Sequence, residues 1–182
     1  DGFLLRSVDV PVLSFTVHWE AWCGDDITVT GIGTFDEPAG TGDVNYTATG
    51  LTAGATDQVV MFAGCQSTAA VNSSIGIASG VYLGFATGPA SSEQCVLTGS
   101  SVEAAASGIT DGYCKTGECV AIINQAGGGP DARATLLSFG TNLFTLTWLS
   151  RVTTGRKSLY MFIKGGQWKA GGYTIDGSTG GA

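Results

Sequence analysis

The residues that could carry out chemistry are few, and their spacing matches no catalytic motif. His18 is the single histidine, so it is the one side chain whose ordinary pKa lies near neutrality. On a regular strand it faces the same side as Glu20, which we interpret as a surface or interface position rather than a catalytic pair. The chain contains no G-x-S-x-G nucleophile elbow and no G-x-x-x-x-G-K-[ST] phosphate loop. We therefore expect no catalytic residue and no cofactor, and we do not expect an enzyme.

The carboxylates are scattered along the chain. Most of the 15 Asp and Glu residues fall in predicted turns, where an Asp side chain bonds its own backbone. A glycosidase needs only two converging carboxylates, so a hydrolase built on these acids is kept as the least favoured hypothesis. Asp25 and Asp26 could offer oxygen ligands to Ca²⁺, but they lack the spacing of an EF-hand. We expect no metal site.

The five cysteines include one close pair, Cys114 and Cys119, with four residues between them. An odd count leaves at least one thiol unpaired within the chain. We expect either buried thiols or one disulfide between Cys114 and Cys119 within a hairpin. A zinc site would need further ligands, and His18 is remote in the sequence.

Four tryptophans, Trp19, Trp22, Trp148 and Trp168, are the best candidates for ligand binding. Such rings could form a platform on which sugars stack. Trp19 and Trp22 face opposite sides of a regular strand, because an odd number of residues separates them. We favour a core position and a subunit contact over sugar binding, since Trp is enriched in both places. Trp22 is therefore an interface candidate, and Trp22 and Trp168 are the candidates for ligand stacking.

Charged residues make up only 13% of the chain, about half of the ~25% typical of soluble domains. Small polar residues or neighbouring subunits must therefore cover much of the surface. The net charge is −7 and the Lys and Arg residues form no cluster, so we expect no nucleic-acid partner. The sequence has no membrane-spanning segment, and we expect no membrane insertion.

The elements that must position these residues are strands, because apolar residues alternate with Thr, Ser and Gly at a period of two. Val8, Val10 and Val12 alternate around Pro11, which indicates an arm or edge strand and makes the three valines interface candidates. Turns are predicted at 24–26 and 127–131, and Asn142 predicts a left-handed turn. The segment 101–108 has a helix-like composition but is short, so it forms either a short helix or an extended loop. Further strands are predicted at 15–19, 27–35, 44–48, 58–63, 81–86, 95–98, 119–124, 134–139, 144–149 and 159–164.

These strands predict an all-β protein, an antiparallel sandwich or jelly roll of about ten short strands with an N-terminal extended arm. A closed β-barrel is the competing architecture. The predicted organisation is an arm at 1–14, a β-sandwich domain at 15–176 and a flexible Gly-rich tail at 177–182. Segments 19–35 and 160–175 both contain an aromatic-led strand, a Gly-containing turn and a second strand. The similarity has two interpretations. It is either a coincidence between two hairpins, or a sign that sheets are completed across tandem modules or across neighbouring subunits.

Five β-rich segments follow one another along the chain: Leu83-Gly-Phe-Ala-Thr-Gly-Pro89, Cys119-Val-Ala-Ile-Ile123, Ala134-Thr-Leu-Leu-Ser-Phe139, Phe144-Thr-Leu-Thr-Trp148 and Tyr160-Met-Phe-Ile-Lys-Gly-Gly166. In this order they resemble modular β-rich structural proteins of tailed phages. The similarity covers roughly residues 31–173 and implies a virion component with a sandwich or jelly-roll domain, on the head or on a tail. It brings no catalytic residue with it, and the N-terminal arm and the five cysteines depart from the pattern.

The favoured hypothesis is a non-enzymatic virion structural protein, located in the extracellular particle as a capsid decoration (cement) protein or a tail or fibre subunit. It would assemble through exposed strand edges and its N-terminal arm, with copies of itself and with other virion proteins. The alternative is a carbohydrate- or receptor-binding β-sandwich module that contacts a glycan on the host surface.

Overall fold

The computed structural model of the chain describes residues 25–65, 78–102, 109–123, 129–151 and 155–171. Within these ranges the chain forms ten strands and one short 3-10 helix, Ser91–Glu93. None of the described residues forms a helix with the length and hydropathy needed to cross a membrane. The strands are β1 (Val29–Asp36), β2 (Gly42–Thr47), β3 (Gln58–Cys65), β4 (Ala78–Ala86), β5 (Gln94–Val102), β6 (Ile109–Thr116), β7 (Val120–Ile123), β8 (Pro130–Gly140), β9 (Leu143–Ser150) and β10 (Lys157–Lys164).

The strands form two antiparallel sheets. The six-stranded sheet has the order β1-β10-β3-β4-β5-β6, and the four-stranded sheet has the order β2-β9-β8-β7. The sheets face each other across one apolar core, and the described strands do not close into a barrel. The predicted antiparallel sandwich is confirmed, and the closed-barrel alternative is wrong.

The core is filled by the side chains that each sheet turns toward the other. Phe144 on β9 is fully buried, and its ring lies 5.2–6.0 Å from the rings of four other aromatic residues. Most of these pairs meet edge to face, the arrangement that the ring quadrupole favours. Because the four partners come from both sheets, this cluster fixes how the sheets pack. They are Phe35, Tyr46, Phe62 and Tyr160.

Gly84 allows the two sheets to approach closely. A Cβ at this position of β4 would lie 1.8 Å from the backbone oxygen of Cys119, directly before β7. No side chain could occupy that space unless the backbone moved. A glycine is therefore required here by the close approach of two main chains.

Gln94 joins the sheets through its buried amide. Its Nε2 donates to the carbonyl oxygens of Pro89 and Leu136 at 2.8 and 3.0 Å. Its Oε1 accepts from the Leu136 N–H at 2.6 Å and from the Thr135 hydroxyl at 2.9 Å. Leu136 lies next to a bulge in the pairing of β8 with β9, so the Gln94 side chain bonds backbone groups at that irregularity.

The turn between β8 and β9 confirms the prediction for Asn142. This residue has φ 60°, in the left-handed region that Asn tolerates better than most residues. Its Oδ1 accepts from the Gly50 N–H at 2.9 Å, and its backbone exchanges hydrogen bonds with Ala48 and Leu51. The turn therefore also anchors the loop that follows β2.

Two elements differ from the sequence pattern. β6 is a strand that the alternation does not predict, because Asp111 and Gly112 interrupt it and the described side chains on both of its faces are at least partly exposed. β8 begins at Pro130, inside the predicted turn at 127–131. In the segment 101–108, residues 101 and 102 complete β5, and the rest lies outside the described residues.

Candidate functional site

On the side of the six-stranded sheet that points away from the smaller sheet, two adjacent rows of side chains contain no charged residue. The register places one residue of each strand in each row, and the rows are two residues apart along the strands. Hereafter these twelve positions are called the outer face. One row is Ile32, Met161, Met61, Phe85, Cys95 and Thr116, and the next is Thr34, Leu159, Ala63, Leu83, Leu97 and Cys114.

The outer face exposes large apolar side chains, which in most proteins lie in the core. Of the seven large apolar side chains that are exposed among the described residues, four stand on these rows, and Val81 stands in the next row of the same face. These five are exposed by 46–81%, the equivalent of about three whole side chains. Complete burial of one such side chain contributes ~1.5–3 kcal/mol of free energy, so covering these five would contribute about 5–9 kcal/mol for each chain. An exposed apolar surface of this kind is a candidate interaction site. The four on the rows are Ile32, Leu83, Leu97 and Leu159.

A shallow apolar depression of about 380 Å³ lies in the outer face. Ala63, the smallest side chain of its row, forms part of its lining between Leu83 and Leu159. Met61 and Met161 line it along the neighbouring row. Methionine side chains adapt their shape to what they contact, so this lining suits an apolar partner.

The chain itself covers one end of this sheet surface. After β10, residues 165–171 run from Gly165, whose N–H donates to the Asp57 carbonyl, to Gly171, whose backbone lies beside Ser92 and the Cys95 sulfur. Since β3 and β4 lie between β10 and β5, this segment crosses the face. Val59 and Ile163, which would extend the rows at this end, are buried. The chain therefore covers this end and reaches the two charge-free rows at Cys95, and the rest of the described residues leave these rows open.

The outer side of the four-stranded sheet is different in character. Asp43 and Asn45 on β2 accept hydrogen bonds of 2.6 and 2.8 Å from the hydroxyls of Thr147 and Thr145 on β9. On the neighbouring strand β8, Arg133 donates to Ser150. This surface is polar and suits water, whereas the outer face of the larger sheet does not.

β1 is an open edge of the six-stranded sheet. All eight of its residues pair with β10 without a bulge, and among the described residues no strand pairs with its other side. The Glu37 N–H donates to the Arg156 carbonyl in continuation of that register. Amides therefore alternate, and those of Thr30, Ile32 and Thr34 point to the open side. Edge strands usually carry Lys, Pro or a bulge that prevents pairing, and β1 has none of these.

The buried carboxylates of the described residues face cations. Arg156, whose side chain is 3% exposed, lies 3.3 Å from Glu37 and 3.4 Å from Asp131. Glu118 lies 3.2 Å from Arg133. These pairs account for the burial of the acids, since a buried charge needs an opposite charge. The part of the chain that the structure describes holds no group of three or more His, Cys, Asp or Glu residues arranged to bind a metal ion.

The disulfide alternative for Cys114 and Cys119 is not formed, and both thiols are free. Cys114 is exposed on the outer face, whereas Cys119 is fully buried in the core and its sulfur donates to the Ala134 carbonyl. The two side chains therefore lie in different environments. Burial also raises the pKa of the Cys119 thiol well above its ordinary value.

The tryptophans separate into different environments as well. Trp148 is core, 1% exposed, and its Nε1 donates to the Tyr46 hydroxyl at 3.0 Å, so it takes no part in a sugar platform. Trp168 is partly buried, and its Nε1 donates to the Gly165 carbonyl. The other predicted site residues lie outside the described residues. They are Val8, Val10, Val12, His18, Trp19, Glu20 and Trp22.

The outer face is the site that sequence reasoning missed. Its signal is present in β4, where apolar residues follow one another in Val81-Tyr82-Leu83 instead of alternating with polar ones. Such a run is typical of a strand covered on both faces. In this structure the smaller sheet covers one face of β4 only.

No family model, no curated protein and no solved structure matches this chain. Function is therefore inferred from the geometry and from the sequence pattern.

Proposed function

We propose that this chain is a non-enzymatic structural subunit that assembles through strand edges with copies of itself, as part of a virion. It would serve there as a capsid decoration (cement) protein or as a tail or fibre subunit, together with other virion proteins. The observation that carries the assembly role is the edge of β1, with which no other described strand pairs. The virion context is supported by the resemblance of the β-strand segments to structural proteins of tailed phages.

Strand addition supplies the physical mechanism. A strand that pairs with β1 gains main-chain hydrogen bonds from the outward amides of Thr30, Ile32 and Thr34, and alternating side chains set its register. β6, the opposite edge of the same sheet, carries the exposed Lys115, a residue type that hinders such pairing. β1 is therefore the edge that favours addition.

The substitution Thr34→Pro tests this role. Proline removes the outward N–H and blocks an added strand, but it breaks no hydrogen bond to β10 and is tolerated on an edge. We expect the full-length chain to form oligomers in sedimentation velocity, and Thr34→Pro to weaken them about tenfold or more. Thr34→Val keeps the N–H and is the matched control, with little expected change.

Co-sedimentation with purified phage heads and tails tests the virion context. A full-length chain that stays monomeric at high concentration and binds neither heads nor tails would contradict the proposal. Equal oligomerisation of Thr34→Pro and Thr34→Val would show that β1 is not the assembling edge.

The second candidate is a carbohydrate- or receptor-binding module, favoured by the partial exposure of Trp168. The hydrogen bond from its Nε1 to Gly165 holds the ring in place, which reduces the entropy cost of stacking a sugar on it. A glycan array with the full-length chain and with Trp168→Ala tests this function. Glycan binding that Trp168→Ala abolishes without unfolding would support it, and an array without binding would exclude it.

A further inference from the structure

We infer that the outer face packs against the same face of a second copy of this chain, in a two-fold dimer of sheet on sheet. The dimer rests on the assembly role proposed above and adds to it a second contact, independent of the β1 edge. A partner for this surface must be flat and apolar, because a charge buried against the two uncharged rows would find no opposite charge there. The outer face itself has those properties.

The dimensions fit a face-to-face contact. Six strands spaced about 4.8 Å apart span about 24 Å, and two rows add about 14 Å along the strands, so the flat patch measures about 300–400 Å². The side chains that stand exposed on it increase the accessible area toward the low end of stable interfaces, about 600 Å² for each partner. Covered sheets pack about 10 Å apart with their side chains interdigitating.

The register of the rows makes the face self-complementary. A two-fold axis parallel to the strands, between β3 and β4, places β4 of one copy over β3 of the other. Leu83 then lies over Ala63, where the depression can receive it. At the margins β6 lies over β1, so that the prominent Ile32 lies over Thr116. Large side chains thus meet small ones at these two positions, whereas Phe85 lies over Met61 and Leu97 over Leu159 in contacts between large apolar side chains.

Charge-reversing substitution on matched leucines tests the dimer. Leu83 on the outer face and Leu149 on the polar side of the other sheet are equally exposed, 46% each. In sedimentation equilibrium of the full-length chain we expect Leu83→Glu to weaken dimerisation about 100-fold or more, because each dimer buries two unpaired carboxylates. Leu149→Glu should change it less than about threefold. Leu97→Glu, on a still more exposed residue, repeats the test where folding tolerates the change more easily.

Thiol reactivity gives a second measurement on the same chain. Cys114 is exposed on the outer face and becomes covered in the dimer. We expect alkylation of Cys114 by iodoacetamide, followed by peptide mass spectrometry, to slow about tenfold when the concentration passes through the range of dimerisation. In Leu83→Glu the rate should be fast and independent of concentration.

The outcomes separate the dimer from the proposed function. If the wild type assembles and Leu83→Glu and Leu149→Glu behave alike, the face-to-face dimer is wrong while assembly through β1 stands. If Leu83→Glu lowers the melting temperature of a species that is monomeric at every concentration, a segment of the same chain, such as 1–24 or 172–182, covers the face and the dimer is wrong. If the chain is monomeric and binds no phage particle, both proposals are wrong.

Discussion

The clearest test of the sandwich itself is the replacement of Gln94 by methionine, which keeps the size of the side chain and removes its hydrogen bonds. Gln94 is fully buried and makes four hydrogen bonds, to Pro89, Leu136 and Thr135. Thr135 is only partly buried, so its hydroxyl can turn to water. Pro89 is exposed, so its carbonyl can turn to water as well, whereas the buried N–H and carbonyl of Leu136 lose their partner.

Each buried polar group that loses its partner costs ~1–3 kcal/mol, so the two Leu136 groups give a loss of about 2–6 kcal/mol for Gln94→Met. For a chain of this length the melting temperature should fall by roughly 10 °C. Equilibrium unfolding in urea, followed by tryptophan fluorescence, to which the buried Trp148 contributes, measures the free energy of unfolding. The midpoint should fall while the slope stays constant.

Gln58→Met is the matched control. Gln58 is also fully buried, but its amide bonds only the backbone of Thr52, an exposed residue that water can reach. We expect a loss of about 1 kcal/mol. Equal losses for the two variants would refute the explanation, because burial alone would then determine the cost and the bonds between the sheets would not.

Three further predictions concern other parts of the molecule. Gly84→Ala should destabilise the chain by about 3 kcal/mol or more, since its Cβ would overlap a backbone oxygen, whereas Gly112→Ala, with its nearest atom at 3.8 Å, should change the melting temperature little. Burial raises the pKa of Tyr46 to about 12, because its effect is larger than the opposite effect of the hydrogen bond from Trp148. Tyr46 therefore ionises at lower pH in the unfolded chain than in the folded one. Its contribution to stability should be complete below pH 10 and fall between pH 10 and 12, which thermal melts at a series of pH values can measure. In native protein diluted to the monomer, iodoacetamide should alkylate Cys114 and leave Cys119 unmodified until urea unfolds the chain; modification of both at one rate would contradict the burial of Cys119.

The sequence predicts the strands better than it predicts their neighbours. Alternation is a local property, and it correctly locates most of the ten strands and the turn at Asn142. The pairing of β1 with β10, and the placement of β2 in the other sheet, depend on contacts between residues 96–135 positions apart. No local pattern encodes such contacts.

For a related reason, the sequence did not reveal the outer face. The pattern of β4 shows that both of its faces are apolar, but it does not show which face the second sheet covers. That is decided where the main chain of Cys119 reaches Gly84, on the face opposite Leu83. The predicted candidates at Val8, Val10, Val12 and Trp22 stay predictions, because they lie outside the described residues.

The position of β10 between β1 and β3 has a consequence for synthesis. β1 emerges early from the ribosome, but its neighbour in the sheet is the latest of the described strands to be made. Domains fold as units while synthesis proceeds at about 5–20 residues per second, so β1 waits several seconds for β10. Leu159 and Met161, which complete the two rows of the outer face, arrive with that strand. Until β10 arrives, the edges of β1 and β3 lack their neighbour in the sheet, and such unpaired edges favour contact between chains that are still being made.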